Sequence, residues 1–254
     1  MCAKRFVSVL ACLSLLPLAF TPGLARAAEV KVIVANALKE SVTEIVASFE
    51  RASGHKVTMA WGGTEGIAKR VGGGEVFDLV IIAAANVDKL MADGKIAAGG
   101  RTDYAKSGIG MAVRSGLPKP DVSSREAIKA AILSAKSIAY SSGPSGFYIA
   151  DLIKQMGIAD QVKDRIRQPP SGTQVAELII KGEADFGFQQ VSELAHVKGI
   201  DYLGPLPADI QHTTVYSIGL HASAPSPDAA KQLAKALSSP EAGAVIRKAG
   251  MDPA

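Results

Sequence analysis

Tyr140-Ser141-Ser142-Gly143-Pro144-Ser145-Gly146-Phe147-Tyr148 stands between a short apolar segment, Ser137-Ile138-Ala139, and an amphipathic run over 149–156. The order is strand, tight polar loop, helix. The first N–H groups of such a helix have no partner within it, and Gly143 and Gly146 let the backbone approach whatever lies there. A helix start of this kind is either an ordinary capped turn, in which Ser145 serves its own helix, or a seat for an anion. Three other strand-to-helix junctions are alike: Ala35-Asn36-Ala37, Gly62-Gly63-Thr64-Glu65 and Ser171-Gly172-Thr173-Gln174. Four polar helix starts in one chain point to a shared cleft.

Upstream, 30–35 (VKVIVA) reads as a buried strand. Leu38, Val42, Ile45, Val46 and Phe49 recur at spacings of three and four and predict a helix, ended by Gly54. Residues 56–60 form a second strand. Ile67 and Val71 mark a short helix that stops at Gly72-Gly73-Gly74, and 78–83 (DLVIIA) is a third strand. Asn86 is expected to cap a further short helix through Leu90 to Gly94. The glycine triplet follows a helix and no Gly-Lys-Ser/Thr succeeds it, so it reads as a loop and not a phosphate cradle. This β-α-β-α-β wind implies a parallel sheet with right-handed crossovers. Ligands of such sheets sit beyond the carboxyl ends of the strands, where Asn36 and Thr64 fall.

Downstream, 108–114 is strand-like, and Ser123 with Glu126 makes a capping box for a helix over 127–135. After Pro169-Pro170, Ser171-Gly172-Thr173 opens a helix over 175–181. A strand over 185–188 ends in Gln189-Gln190, ahead of a helix around 192–196, and 200–203 is another strand. A long β segment (213–220, TTVYSIGL) precedes Ser226-Pro227-Asp228 and Ser239-Pro240-Glu241. Each of these last two places a cap, Pro at N1 and an acid in the first turn of a C-terminal helix. The fold class expected is α/β in two lobes with parallel-rich sheets. The chain crosses once near 107–114 and back near 213–217, giving lobe 1 as 28–109 plus 216–254 and lobe 2 as 110–215. A single larger α/β domain is the alternative that 254 residues allow.

The extreme N-terminus reads differently. Lys4 and Arg5 precede an apolar run over 6–20, then Pro22, Gly23 and Ala25-Arg26-Ala27. A basic start, an apolar stretch and a small-x-small site describe a secretory signal peptide, with cleavage expected after Ala27. The run is too short and interrupted for a comfortable membrane span, so none is expected in the mature protein. Removing Lys4, Arg5 and Arg26 leaves 25 basic residues against 24 acidic ones, a net charge of +1. That balance gives no reason to expect a nucleic-acid partner. Cys2 and Cys12 both lie in the signal, so the mature chain carries no disulfide and no thiolate chemistry. A cysteine-free exported chain suits the bacterial periplasm.

Other chemistries find little support. His55, His196, His212 and His221 lack the paired spacing of a zinc site; no metal and no cofactor is expected. No serine sits in a Gly-x-Ser-x-Gly elbow. Trp61 fits the cleft mouth and the core equally well, and Arg165 and Arg167 fit a solvated face better than the cleft.

The first strand VKVIVANAL, the segment FERASGHKV, the run GIAKRVGGGEVFDLVI, the PSGFY turn and KGEADFGFQQVSEL together resemble the molybdate-binding proteins of periplasmic ABC importers. The likeness covers the whole mature chain and rests on the order of the segments. It implies a type II periplasmic binding protein: a monomer of two lobes that holds a small anion in the cleft through hydroxyls and backbone N–H groups and delivers it to an ABC permease. Carried over by position, the binding residues implied are Asn36, Gly63 beside Thr64, Ser145 with Gly146, Gly172, Thr173, Gln190 and its neighbour Gln189. Gly63 stands where the family has a serine and Gln190 where it has a tyrosine. These departures argue against molybdate and for another small anion, an oxyanion or a di- or tricarboxylate, toward which Gln189, Gln190 and Tyr148 would offer directional donors. GEADFGFQQVSEL and the GID that follows also resemble the periplasmic aconitate isomerases built on the same scaffold. That resemblance implies a base in the cleft to move a proton between two carbons, and Glu65 and Tyr148 are the candidates. Glu65 reads as well as a first-turn acid meeting the helix dipole, and Tyr148 as packing beside the turn.

Overall fold

The computed structural model describes residues 27–254; the signal peptide reading lies outside the described residues. Two mixed sheets, each flanked by helices, form two lobes.

The first sheet starts as the β-α-β-α-β wind requires. β1 (Glu29–Ala35), α1 (Lys39–Ser53), β2 (Lys56–Gly62), α2 (Thr64–Gly72), β3 (Leu79–Ala83) and α3 (Ala84–Ala92) follow in order. β1 pairs in parallel with β2 on one side and β3 on the other. All five residues of β3 are buried, as expected of a strand covered on both faces. α1 buries Val42, Ile45, Val46 and Phe49, the face its spacing predicts. Asp78, fully buried before β3, accepts from Lys31 N at 2.7 Å and Ser226 N at 2.6 Å, so its desolvation is offset by two backbone donors.

The chain then leaves this sheet along β4 (Ile96–Ser107), and after Gly108 enters the second sheet as β5 (Ile109–Arg114). The second lobe continues with α4 (Arg125–Ser134), β6 (Ile138–Tyr140), α5 (Pro144–Gln155), α6 (Ala159–Val162), β7 (Ile166–Arg167), α7 (Val175–Ile180), β8 (Phe186–Gln190), α8 (Val191–Leu194) and β9 (Ile200–Pro205). Its sheet order is β7-β6-β8-β5-β9, with β6 parallel to β7 and β8, and β5 antiparallel to β8 and β9. β10 (Thr214–His221) returns to the first sheet between β3 and β4, pairing antiparallel with both. α9 (Pro227–Leu237), α10 (Ala242–Lys248) and β11 (Asp252–Pro253) complete that lobe, in the order β11-β4-β10-β3-β1-β2. Thr214 lies opposite Ser107, so the two segments that cross between the lobes run side by side.

Three local expectations are corrected. The cap of α4 is Ser124 and not Ser123: Ser124 Oγ accepts from Ala127 N at 3.1 Å, while Ser123 N donates to Asp121 Oδ1. Ser124 has the extended backbone a capping residue needs. Asn86 lies inside α3 and caps nothing; its amide donates to Glu65 Oε1 at 3.1 Å. Pro240 and Glu241 precede α10, whose first helical residue is Ala242, with Ser239 Oγ accepting from Ala242 N at 3.3 Å. Among the described residues no helix is long and apolar enough to cross a membrane.

Candidate functional site

The carboxyl ends of β1, β2, β6 and β8 and the loop before α7 meet around a cavity of about 40 Å³ between the lobes. The first lobe contributes Asn36, Gly63 and Thr64, the second Ser145, Gly172, Thr173, Gln189 and Gln190. Those eight of the expected binding residues are brought together. Ser141 to Gly143, Ser171, Glu193 and Tyr216 complete most of the remaining wall.

The 141–145 loop is built by hydroxyls. Ser141 Oγ accepts from Gly146 N at 3.2 Å and lies 2.9 Å from Ser145 Oγ. Ser141 therefore satisfies the α5 start, and Ser145 is not its own helix's cap. With Pro144 at the first helical position, no N–H is offered there, and Ser145 N is the first donor of the helix. Ser145 is 2% exposed and faces the cavity. α2 begins opposite, its N-cap residue Gly63 offering no side chain, so that among its first N–H groups Gly66 N is met only by Ser171 of the other lobe. Two helix starts thus present backbone donors and positive dipole ends to one small space.

The lobes touch here. Asn36 Nδ2 donates to Gly172 O at 2.7 Å, and Ser171 Oγ accepts from Gly66 N at 3.2 Å. Farther out, His196 Nδ1 meets Glu40 Oε2 at 3.1 Å. Gly172 has φ 95, a left-handed conformation that glycine adopts without strain; its turn brings its carbonyl to Asn36. Gln189 Oε1 accepts from Val175 N at 2.8 Å and so caps α7. The Gln190 amide, oriented so that both ends are satisfied, donates to Ser107 O at 3.0 Å and accepts from Thr214 Oγ1 at 2.9 Å. It ties together the two segments that cross between the lobes. Both glutamines line the cavity, yet much of their bonding capacity is engaged in holding its walls.

Three expected residues are not brought to the cavity. Gly146 lies just behind it, its N–H held by Ser141. Tyr148 points away: its hydroxyl donates to Ile210 O at 2.8 Å and its ring stacks on His212 with centroids 4.7 Å apart. Glu65 accepts from Asn86 on the far side of α2. Neither Glu65 nor Tyr148 therefore lines the cavity. Trp61 packs partly buried against the first lobe's core, with Lys39 Nζ 5.9 Å from its ring. Arg165 donates to the carbonyls of Leu133 and Ala135, and Arg167 to those of Asp164 and Ile166; neither lines the cavity.

The electrostatics of the wall are unusual for an anion seat. No Lys or Arg lines it; its ionisable side chains are Glu193 and Tyr216. Part of the Glu193 surface opens to the cavity and to a groove outside it, but protein crowds the residue on its other sides. That desolvation pushes its carboxyl from the usual 4.5 up to about 8, with the Gln189 amide pulling the other way. Near neutral pH the group is mostly a neutral acid, so it does not repel an anion and can donate to one. Burial and the nearby Glu193 charge hold Tyr216 well above the ordinary phenol value.

A stability signature follows from the sign of this shift. Between about pH 4.5 and 8 the folded protein keeps a proton that the unfolded chain has released, so Glu193 weakens the fold as pH rises through that window. Glu193→Gln is expected to unfold at a higher temperature relative to the wild type at pH 9 than at pH 5. Melting curves of both proteins across that range check it; a difference that does not change with pH contradicts it.

Sequence reading passed over Glu193. It was contained in KGEADFGFQQVSEL, but an acid in the first turn of a helix reads as an ordinary dipole partner. Its place just after a strand's carboxyl end was the signal that could have raised it.

Residues 30–252 match the family model described as bacterial extracellular solute-binding protein. An aconitate isomerase from a Pseudomonas species is 34% identical over 249 residues, 95% of each chain. The molybdate-binding protein ModA of Azotobacter vinelandii is 28% identical over 173 residues, 67% of this chain and 68% of that one. The structure of the Azotobacter vinelandii periplasmic molybdate-binding protein superposes with a TM-score of 0.75 at 22% identity, over 87% of this chain and 98% of that chain. With two α/β lobes closing on a polar cavity and a family match across nearly the whole described chain, the protein belongs to the bacterial extracellular solute-binding proteins.

Proposed function

We propose that the protein captures a small carboxylate-bearing anion between its lobes in the periplasm, and that an ABC permease is its partner in import. One observation carries this reading: neutral donors from both lobes converge on a cavity that has no cationic side chain. Hydroxyls and helix-start amides can hold a negative charge without a counter-ion. The seat is small, about 40 Å³. It suits one carboxylate of a longer ligand. A groove of about 250 Å³ adjoins it, sharing Asn36 and Glu193 and adding Lys39, Glu40 and His196. A polycarboxylate with one end in the seat and the rest in the groove fits this shape better than a compact tetrahedral oxyanion.

Melting curves with cis-aconitate, trans-aconitate, citrate, molybdate and sulfate test the proposal. The carboxylates are expected to raise the melting temperature in proportion to the logarithm of their concentration, and molybdate to do so less. No shift with any of the five rejects the reading.

A second reading is supported by a specific pair of observations. The relative that is 34% identical over 95% of each chain is an aconitate isomerase, and a carboxyl faces this cavity at Glu193. On this reading the same cleft interconverts cis- and trans-aconitate.

A further inference from the structure

We propose that Glu193 is the catalytic proton carrier of that interconversion, an inference that rests on the isomerase reading. Aconitate has a methylene carbon and a vinyl carbon on either side of one central carbon. The Glu193 carboxylate takes a proton from the methylene carbon: a C–H bond breaks, an O–H bond forms, and the electron pair spreads over the three-carbon allyl unit and its carboxylates. The Glu193 acid then gives its proton to the former vinyl carbon. The double bond has moved by one position, and the conformation held about the bond between the methylene and central carbons as the proton leaves sets cis or trans. The carboxylate is regenerated, nothing is oxidised or reduced, and no co-reactant is needed.

Three features of the structure place this step on Glu193. It is the one carboxyl lining the cavity among the described residues, and no histidine or lysine lines it. It lies where the cavity meets the groove. A ligand with one carboxylate in the seat and another in the groove would set its central carbons against this residue, and not against Glu65 or Tyr148, which are engaged elsewhere. Finally, its surroundings suit exchange in both directions. A carboxyl whose proton is held until about pH 8 is a stronger base than an ordinary glutamate once ionised, and remains a competent acid near neutrality. The groups facing it are Tyr216 and Gln189 on the inner side, and Asn36, Lys39, Glu40 and His196 around the groove. Tyr216 stays protonated throughout this range.

The two halves of the proposal have opposite pH signatures. Free Glu193 must be ionised to start the reaction, so kcat/KM is expected to rise with pH through about 8 and to level off above it. Binding prefers the neutral acid, so the affinity measured by thermal shift is expected to fall over the same interval.

The test uses the purified full chain with cis- and trans-aconitate in D₂O, followed by NMR. The wild type is expected to interconvert the isomers, with solvent deuterium entering the product only to the extent that the Glu193 proton exchanges before it is returned. Glu193→Gln is expected to lose about a hundredfold or more in kcat while aconitate still raises its melting temperature, and to lose the pH rise. Glu193→Asp should recover part of the rate, and Glu65→Gln and Tyr148→Phe should stay within about threefold of the wild type, well short of what removing a proton carrier costs. Wild-type turnover that persists in Glu193→Gln overturns the proposal. So does a wild-type kcat/KM that is flat from pH 6 to 9, a result that holds even if the Gln variant does not fold. A wild type that binds aconitate without converting it overturns the isomerase reading and this proposal with it, and leaves anion capture standing.

Discussion

Gly63→Ala is expected to leave the unliganded protein folded and to weaken its hold on whichever anion stabilises it most. The substitution is harmless to the local backbone: Gly63 has φ −77 and ψ 148, which alanine adopts freely. In the separated lobes it should be neutral or slightly stabilising, because alanine has fewer unfolded conformations to lose. Closure is another matter. An added Cβ would run into Ser171 Oγ and would lie 2.8 Å from Gly172 N. The serine hydroxyl can turn aside, though Gly66 N would then lose its acceptor. The Gly172 nitrogen is backbone in a fixed left-handed turn and cannot yield as easily. The lobes must therefore stop short of the arrangement in which Asn36 reaches Gly172 O. Overpacking of this kind costs about 1–3 kcal/mol, which in the closed form alone corresponds to a roughly 5- to 150-fold loss of affinity. Isothermal titration of wild type and variant measures it. Gly66→Ala is the milder comparison, since its Cβ would meet only the Ser171 side chain, at 3.1 Å. Equal affinities for Gly63→Ala and wild type would mean that this contact is not part of the liganded state.

Contacts of this kind, between residues far apart in the chain, leave no local pattern in the sequence, whereas the elements that carry them often do. The β-α-β-α-β wind was legible because β3 is a continuous apolar run, β1 is one over 32–35, and α1 carries a clean face of Val42, Ile45, Val46 and Phe49. Such patterns are local, and burial on both faces of a parallel strand leaves little ambiguity. β4 was not legible. Its sequence, IAAGGRTDYAKS, has no sustained alternation and contains Gly99 and Gly100. It is a strand because β10 and β11 pair with it, with register shifts along the β10 pairing. Tertiary pairing has overridden weak local propensity there.

The candidate site divides along similar lines. Seats made by backbone and small hydroxyls were legible, because strand ends and helix starts announce them: Asn36, Thr64, Ser145 and Thr173 all reach the same cavity. Side-chain direction was not. Successive residues on a helix point about 100° apart, so Thr64 in the cavity turns Glu65 aside, to Asn86. Tyr148 lies a turn deeper in α5 than Ser145, where Ile210 and His212 receive it. Glu193 was hidden for the opposite reason. The cavity it faces is assembled by both lobes, with Asn36 from one and Gln189 from the other, and no window of sequence contains that. For Glu65 and Tyr148, then, proximity to a seat in sequence does not fix which way a carboxyl or a phenol faces.

Gly146→Ala is expected to damage the second lobe itself, and Gly143→Ala to be tolerated, although the two glycines flank the same short loop. At Gly146 an added Cβ would fall on the Ser141 carbonyl, whose carbon lies 2.5 Å from it. Both partners are backbone, and Ser141 is fixed from several sides: its hydroxyl accepts from Gly146 N and pairs with Ser145, and its carbonyl accepts from Gln168 Nε2 at 3.1 Å. Relief therefore requires the loop over 141–145 to be rebuilt, with loss of the α5 start. At Gly143 the nearest atom to an added Cβ is Ser141 Oγ at 3.9 Å, an ordinary contact, and the backbone is extended. We expect Gly146→Ala to cost about 3 kcal/mol, in the range of severe core overpacking. For a chain of this size that lowers the melting temperature by roughly 6–12 °C. Gly143→Ala should remain within about 0.5 kcal/mol of the wild type. Denaturant unfolding of the three proteins gives the free energies, and thermal shift with the stabilising anion reports on the seat. The stability loss and the loss of anion response should appear together at Gly146, because Ser141 both starts the helix and lines the cavity. A Gly146→Ala protein that keeps its melting temperature and its anion response would place the loop's rigidity, and the hydroxyl pair that depends on it, outside the binding site.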